Sequence, residues 1–187
     1  MHSQTDLPVG FYARPAVEVA PELLNKVIVA GDRSGRIVEV EAYGGEDDAG
    51  SHAWRGPTPR TELMYGPPGY WYVYLSYGVH QCANVVVGNE GTANAVLLRA
   101  IEPLTGIDAM RADRGSVRHR DLANGPGKLT QALGFGAELN GAHIPTSPVR
   151  IVDDGVAPPD RPQTTPRIGL SENRAPDTPW RFLAAES

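Results

Sequence analysis

Cysteine is nearly absent from this sequence. The sequence also lacks metal-ligating patterns and a long apolar run. The single cysteine, Cys82, excludes an internal disulfide and a zinc site built from several cysteines. The five histidines show no paired metal-ligand spacing, so we expect no metal and no other cofactor. Because no stretch approaches the roughly 20 apolar residues that span a bilayer, a membrane helix is excluded.

The start of the chain also lacks the basic segment, apolar middle and small-residue cleavage site of a secretory signal. We therefore expect a protein that is not secreted and works in the cytoplasm. The composition, with 41% hydrophobic and 21% charged residues, is typical of a globular domain with a core. The sequence predicts one domain over residues 1–187, with residues 1–10 flexible.

Positive charge is in short supply as well, because 17 Lys and Arg face 22 Asp and Glu, giving a net charge of -5 at pH 7. This balance disfavours a general polyanion binder, so an interaction with DNA requires a local basic patch. The span 99–128 offers one, since its cations outnumber its carboxylates. The cations are Arg99, Arg111, Arg114, Arg118, Arg120 and Lys128.

The arrangement of β-branched runs and turn residues predicts an α/β protein of the α+β type, built on a mainly antiparallel sheet. Helices are expected near 16–25, 105–111 and 128–133, with a helical turn near 62–65. Strands are expected at 27–30 and 36–43, joined by a turn at 31–35, and at 70–77, 84–87, 95–102, 149–152, 167–170 and 180–183. The Pro-rich stretch 156–166 is interpreted as a tether or surface loop.

Two carboxylates mark the strand at 36–43 as a candidate source of acid or base chemistry. Alternation puts Glu39 and Glu41 on one face, with Cα atoms roughly 7 Å apart. The two predicted faces are Val38, Val40 and Ala42 on one side and Ile37, Glu39, Glu41 and Tyr43 on the other. Alone, such a pair is more typical of a solvated strand face. The flat side chains of Tyr43, His52 and Trp54 favour instead a slot that can sandwich a purine ring.

The segment 70–77 holds four of the seven tyrosines and ends at Tyr77, just before Gly78. Core packing is expected for Trp71 and Tyr72. Tyr77 differs, because a ring on a turn can project, enter a base stack and fill the space left by an extruded nucleotide.

A second turn, Gly125-Pro126-Gly127-Lys128, precedes a predicted helix. It offers free amides, a positive helix end and a cation to a phosphate, and it fits an ordinary helix start equally well. The spacing of a Walker loop is not met, because Leu129 follows the lysine.

Seven segments, in their order and spacing, closely resemble the alkyladenine (3-methyladenine) DNA glycosylase family. They are RIVEVEAY at 36–43, SH at 51–52, TPR at 58–60, YVYLSYG at 72–78, CAN at 82–84, LLRA at 97–100 and NGPGKLTQAL at 124–133. The resemblance extends from about Arg14 to Phe182. It implies a single compact domain with a curved antiparallel sheet, short flanking helices and a protruding β-hairpin. The implied partner is double-stranded DNA containing damaged purines, which the protein would approach from the minor groove. The protein would act as a monomer and, in a bacterium, would associate with the nucleoid.

The resemblance also implies roles for individual residues. Glu41, helped by Arg99, would activate the attacking water, and Tyr77 would be the intercalating wedge. The base pocket would consist of Tyr43, His52, Tyr74 and Asn84. Candidates for phosphate contacts are Arg60, Arg111 and Lys128. An amide at Asn84, near the purine 2-position, would clash with the exocyclic amine of normal guanine yet accept adenine-like bases.

The implied activity is that of a base excision repair enzyme, with 3-methyladenine, 7-methylguanine, hypoxanthine and ethenoadenine as substrates. Alkylation makes a purine cationic and weakens its glycosidic bond, so a carboxylate kept ionised beside Arg99 suffices to activate water. Neither Lys26 nor Lys128 is placed to form a Schiff base, so we expect a monofunctional hydrolase without strand cleavage.

Two alternatives from other classes remain open. The first is a nucleoside or glycoside hydrolase that uses Glu39 and Glu41 as a pair, although their spacing exceeds the roughly 5 to 5.5 Å of retaining enzymes. The second is a non-catalytic nucleic-acid-binding module whose tyrosines stack on bases. It predicts binding without turnover.

Overall fold

The strands of this chain join one antiparallel sheet with a long central strand at its middle. The computed structural model describes residues 4–115 and 117–184. Its strands are β1 (Thr5–Asp6), β2 (Val27–Ala30), β3 (Arg33–Gly44), β4 (Trp71–Ser76), β5 (His80–Val87), β6 (Asn94–Thr105), β7 (Val149–Asp153), β8 (Gln163–Thr165) and β9 (Arg181–Leu183). They are ordered β1-β7-β2-β3-β6-β5-β4, with β9 paired to β3 and β8 paired to β9. The predicted α+β class and antiparallel sheet are confirmed.

Short helices flank this sheet. They are α1 (Val9–Tyr12), α2 (Ala16–Leu23), α3 (Ile107–Arg114) and α4 (Pro126–Leu133). Single 3-10 turns occupy Gly45–Asp47, His52–Arg55, Glu62–Tyr65, His119–Asp121, Ala137–Leu139 and Ile144–Thr146. Helix α4 begins with a proline in its first turn. Gly134, which follows its last residue, caps the helix in the left-handed conformation with a φ of 73°.

A β-bulge in β3 changes the predicted alternation. Ile37 and Glu39 pair with consecutive residues of β6, so Val38 is an extra residue between them. Ile37 consequently joins Val40 in the core, and the prediction that Ile37 shares a face with Glu41 is wrong. Because a bulge bends its strand, this irregularity also contributes to the curvature of the sheet.

The main core lies between the sheet and the helices α2 and α4. Trp71 is fully buried there, and its indole nitrogen donates to the carbonyl of Val149 at 3.0 Å, as expected for a buried indole. The prediction that Trp71 packs in the core is confirmed. Tyr72 is also buried, but it belongs to a second, smaller cluster with Met64 and Val86.

Four local predictions need correction or comment. Residues 167–170 do not form a strand, because the Ile168 amide donates to the Glu41 carboxylate instead of a neighbouring strand. The strand lies at Gln163–Thr165 and pairs with β9, so the prediction of a loop over 156–166 is wrong for those three residues. The turn at 31–35 is shorter than predicted, since Ala30 pairs with Arg33. Within residues 1–10, for which flexibility is expected, Thr5–Asp6 pair with β7, while residues 1–3 lie outside the described part.

Within the described part of the chain, every helix is too short or too polar to cross a membrane.

Candidate active site

A cavity of about 630 Å³ lies over the β3–β6–β5–β4 part of the sheet, bordered by the β4–β5 hairpin and the segment 168–170. This volume is in the range of small-molecule sites. The side chains that matter below are Tyr43, His52, Arg60, Tyr72, Tyr74, Tyr77, Asn84 and Arg99. The structure therefore brings together all four residues predicted for a base pocket, along with the predicted wedge and the predicted partner of Glu41. Trp54, predicted to share the aromatic slot with Tyr43 and His52, is not among the lining residues, because its ring packs against Arg55 and Arg174.

Glu41 lies directly behind this lining and has no exposed side-chain surface. Its Oε1 accepts the backbone amide of Ile168 at 2.7 Å, and its Oε2 accepts the Tyr43 hydroxyl at 2.8 Å. The Arg99 Nη1 is 3.4 Å from Oε2. These three partners satisfy a carboxylate that burial would otherwise penalise. Glu41, Tyr43, Arg99 and Ile168 are called the carboxylate end of the cavity below.

Arg99 joins the two carboxylates of β3. Its Nε donates to Glu39 at 2.8 Å, and Glu39 also accepts from Arg181 at 2.6 Å. Burial alone would lower the pKa of Arg99, but the charges of Glu41 and Glu39 outweigh it and raise that pKa. Arg99 is therefore a fixed cation. Glu39 is engaged by two guanidinium groups, whereas Glu41 has neutral donors and one more distant guanidinium.

An aromatic wall stands beside the carboxylate end. The rings of His52 and Tyr74 meet edge to face with centroids 4.5 Å apart, and His52 Nδ1 is 3.2 Å from the Tyr72 hydroxyl. Although His52 is partly exposed to solvent, burial of the imidazole and the nearby Arg60 and Arg174 lower its pKa to about 4. His52 is therefore neutral near pH 7.

Two further side chains set the chemistry of this wall. Arg60 lies with its guanidinium 5.1 Å from the centre of the Tyr74 ring, within the range of a cation–π contact. Asn84 is buried, and its Nδ2 donates to the carbonyl of Tyr72 at 3.1 Å. That bond fixes the plane of the Asn84 amide at the surface of the cavity.

The β4–β5 hairpin ends in a three-residue turn, Tyr77–Gly78–Val79, called the hairpin tip below. Tyr77 is 91% exposed, and its φ of 50° is in the left-handed region that L-residues other than glycine, Asn and Asp rarely adopt. A large ring thus stands in solvent on a strained backbone. Because Tyr77 also lines the cavity, the tip and the carboxylate end border the same space.

A model of the methylpurine-DNA glycosylase family matches residues 10–187 of the chain. The chain belongs to the methylpurine-DNA glycosylase family. A protein of Burkholderia lata named "Putative 3-methyladenine DNA glycosylase" is 51% identical over 183 residues, covering 94% of this chain and 86% of that protein. A protein of the same name from Chlorobaculum parvum is 48% identical over 186 residues, covering 97% and 88%.

The resemblance drawn from the seven sequence segments is therefore confirmed. Membership of the methylpurine-DNA glycosylase family makes the protein a DNA glycosylase for alkylated bases, a hydrolase of N-glycosyl bonds. Within residues 4–115 and 117–184, no three His, Cys, Asp or Glu side chains are grouped so that they could hold a metal ion.

The predicted phosphate-binding residues of this glycosylase lie in different surroundings. Arg60 is in the cavity, over Tyr74. Lys128 is in the first turn of α4, where Nζ donates to Asn124 at 2.8 Å, and the neighbouring Pro126 lines the cavity. Arg111 lies on α3 beside Asp108, at 3.6 Å, and is not among the residues that line the cavity.

Sequence reasoning missed the contribution of the segment around Ile168. This segment contributes a backbone amide, which no side chain in the sequence can indicate. In addition, the apolar residues at 168 and 170 favoured a strand. It also missed Arg167 and Asp48, which form a buried ion pair next to that segment. These two residues are 119 positions apart, so no local motif connects them.

Proposed function

We propose that this glycosylase removes alkylated and deaminated purines from duplex DNA by flipping the damaged nucleotide into the cavity and hydrolysing its glycosidic bond. The substrates proposed are 3-methyladenine, 7-methylguanine, hypoxanthine and ethenoadenine. The observation that supports this proposal most strongly is the buried Glu41 carboxylate, bonded to Tyr43, Ile168 and Arg99 beside an aromatic cavity.

In the proposed reaction, the oxygen of a water molecule attacks C1′ of the deoxyribose, and one water proton passes to Glu41. The electron pair of the breaking C1′–N bond leaves with the base. A base that alkylation has made cationic departs as a neutral molecule and is a good leaving group. The neutral lesions, hypoxanthine and ethenoadenine, depart as anions that take up a proton from solvent. Each carboxylate oxygen has two acceptor sites. One acceptor site on Oε1 is used by Ile168, and Oε2 has both Tyr43 and Arg99 as donors, so we propose that the attacking water is bound by the second acceptor site of Oε1.

The aromatic wall suits a cationic base. Each well-placed ring contributes roughly 0.5 to 2 kcal/mol to the binding of a cation. His52, with its pKa lowered to about 4, adds no positive charge near pH 7 that would oppose this attraction. Asn84 has a fixed amide at the same surface and is proposed to disfavour the exocyclic amine of guanine. In 7-methylguanine, which keeps that amine, the positive charge of the ring and its better leaving ability are proposed to offset this penalty.

The hairpin tip is proposed to enter the minor groove and put Tyr77 into the gap that the flipped nucleotide leaves. Unstacking a base costs a few kcal/mol, and an inserted ring replaces part of the lost stacking. The enzyme is proposed to act on DNA as a monomer.

We also propose that the enzyme does not cleave the DNA strand. Lys26 is buried and bonded to Asp153 at 2.8 Å, and Lys128 is bonded to Asn124, so neither amine is directed at the cavity. Incubation with lesion DNA and borohydride should therefore give no covalent adduct. A trapped adduct would contradict this part of the proposal.

The central experiment measures release of free base from duplexes that each contain one of the four lesions. The wild-type enzyme should release base, while Glu41→Gln should bind the same duplexes and release base at least about 10³-fold more slowly. Glu102→Gln is the matched control, because the same change is made at an exposed residue of the neighbouring strand β6, outside the cavity, and it should leave release within about twofold of the wild-type rate. Full activity of Glu41→Gln would refute the assigned role.

A further inference from the structure

Behind the carboxylate end, Arg167 and Asp48 form an ion pair that is removed from solvent. Arg167 Nη1 and Nη2 donate to the two carboxylate oxygens of Asp48 at 2.6 and 2.8 Å, and the side chains are 0% and 2% exposed. The pair is bidentate, which fixes its direction as well as its distance. We call it the Arg167–Asp48 clasp.

The clasp holds the backbone on both sides of Tyr43. Arg167 Nη1 also donates to the carbonyl of Ala42 at 2.9 Å, and Asp48 accepts the amide of Gly44 at 3.0 Å. The strand carrying Tyr43 is thereby fixed immediately before and immediately after that residue.

The clasp also contacts the Tyr43 ring itself. The Arg167 guanidinium lies 4.7 Å from the centre of that ring and 5.3 Å from the centre of the Trp180 ring. Tyr43, which donates to Glu41 and lines the cavity, is therefore supported from behind by a planar cation.

The residue that follows Arg167 reaches Glu41 directly. The amide of Ile168 donates to Glu41 Oε1 at 2.7 Å, so a shift of Arg167 moves a donor of the catalytic carboxylate. Two of the three donors to Glu41 are thus attached to the clasp, one by the chain and one by ring contact. The third, Arg99, has its own anchor on Glu39.

We propose that Arg167 and Asp48 are positioning residues that hold Tyr43 and Ile168 against Glu41 for base release, without touching the substrate. The inference rests on the function proposed above. A buried ion pair is weak evidence for added stability, because apolar replacements often serve as well. Geometric control is different, since a displacement of about 1 Å at a reacting group can cost about 10²-fold in rate.

The test compares Arg167→Lys with Arg36→Lys. Lysine keeps the charge and can reach Asp48, but it loses the bidentate geometry and the stacked plane. Arg36 forms a bidentate pair with Asp154, at 2.8 and 3.2 Å, and does not line the cavity, so it is a matched control. Base release is measured in single turnover with enzyme saturating over a lesion duplex, and duplex affinity is measured separately.

Arg167→Lys should slow single-turnover release by about 10- to 100-fold while duplex affinity changes less than about threefold. Arg36→Lys should stay within about twofold of the wild-type rate. The Asp48→Asn/Arg167→Met double variant removes both charges, so no unpaired buried charge remains, and it should be slowed at least as much. Wild-type rates in Arg167→Lys and in a folded double variant would overturn the inference.

Hydrogen exchange at the Ile168 amide gives a readout that does not depend on activity. The amide should exchange about tenfold or more faster in Arg167→Lys than in the wild type, whereas core amides of β5 should be unchanged. Unchanged exchange at Ile168 would contradict the clasp even if the rate falls. A wild-type enzyme that releases no base would instead contradict the proposed function, and with it the role of the clasp in base release.

Discussion

The carboxylate end of the cavity and the hairpin tip are built in opposite ways. Glu41 is completely buried and bonded to three groups, whereas Tyr77 is 91% exposed on a backbone with φ of 50°. A carboxylate held by three donors suits chemistry, because its partners need no rearrangement when charge develops. An exposed ring on a strained turn adds little to the stability of the fold and is suited to contact another molecule.

This difference predicts that substitutions at the two ends separate rate from affinity. Changes at the carboxylate end should slow base release from a bound lesion, and changes at the hairpin tip should weaken binding first. Each of the following substitutions tests whether rate and affinity change independently.

Arg99→Met should have the largest effect. It removes the cation shared by Glu39 and Glu41, so we expect single-turnover release to fall by about 10³-fold. The free energy of unfolding should fall by about 3 kcal/mol, because the buried Glu41 and the half-buried Glu39 both lose a partner. Denaturant titration checks the second value, with Arg150→Met, which breaks an exposed pair with Asp6, as the control. If the variant lost affinity for the duplex but kept the wild-type rate, Arg99 would act in DNA binding and not in base release.

Tyr77→Asn should show the reverse behaviour. Asparagine tolerates left-handed backbone, so the free energy of unfolding should be unchanged or raised by up to about 1 kcal/mol. The Kd for a lesion duplex should rise by about 10- to 30-fold, as for loss of an aromatic anchor. Val156→Asn, at another exposed apolar position outside the cavity, should leave the Kd unchanged. Equal affinity of Tyr77→Asn and the wild type would argue against the wedge.

Tyr43→Phe tests one hydrogen bond at the carboxylate end. The variant keeps the ring and loses the hydroxyl that donates to Glu41 at 2.8 Å. A bond to a charged group contributes about 1.5 to 3 kcal/mol, so release should slow by about tenfold or more. Tyr65→Phe removes a bond of the same length to Glu46, on a different loop, and should leave the rate unchanged. If both variants behave alike, the Tyr43 hydroxyl is not part of the chemistry.

Much of this site could be predicted from the sequence because its groups lie in regular local patterns. Alternation places Glu41 beside Tyr43, and a glycine after Tyr77 marks a turn. The bulge at Val38 could not be predicted, since an extra residue in the pairing depends on the partner strand. The Ile168 amide and the Arg167–Asp48 clasp could not be predicted for a related reason. They depend on contacts between positions more than a hundred residues apart, as the separation of 119 shows.

His52 lies on the wall between the two ends, and its protonation gives the smallest expected effect. Its pKa is lowered to about 4 from an ordinary 6.5, by burial and then by the charges of Arg60 and Arg174. Above pH 6.5 the ring is neutral in both the folded and the unfolded chain. Between pH 6.5 and about 4 the unfolded chain binds the proton more readily, so stability falls as the pH is lowered through this window.

Urea unfolding at pH 7.5 and 5.0 can isolate this contribution by comparing the wild type with His52→Asn. The carboxylates contribute equally to both proteins, so the extra loss of stability in the wild type belongs to His52. We expect at most about 1 kcal/mol, because His52 is partly exposed and solvent screens its interactions. Equal losses in the two proteins would mean that His52 can be protonated in the folded state near pH 5. The wall would then present a second cation, beside Arg60, to a cationic base, and the proposal that His52 adds no positive charge there would be wrong.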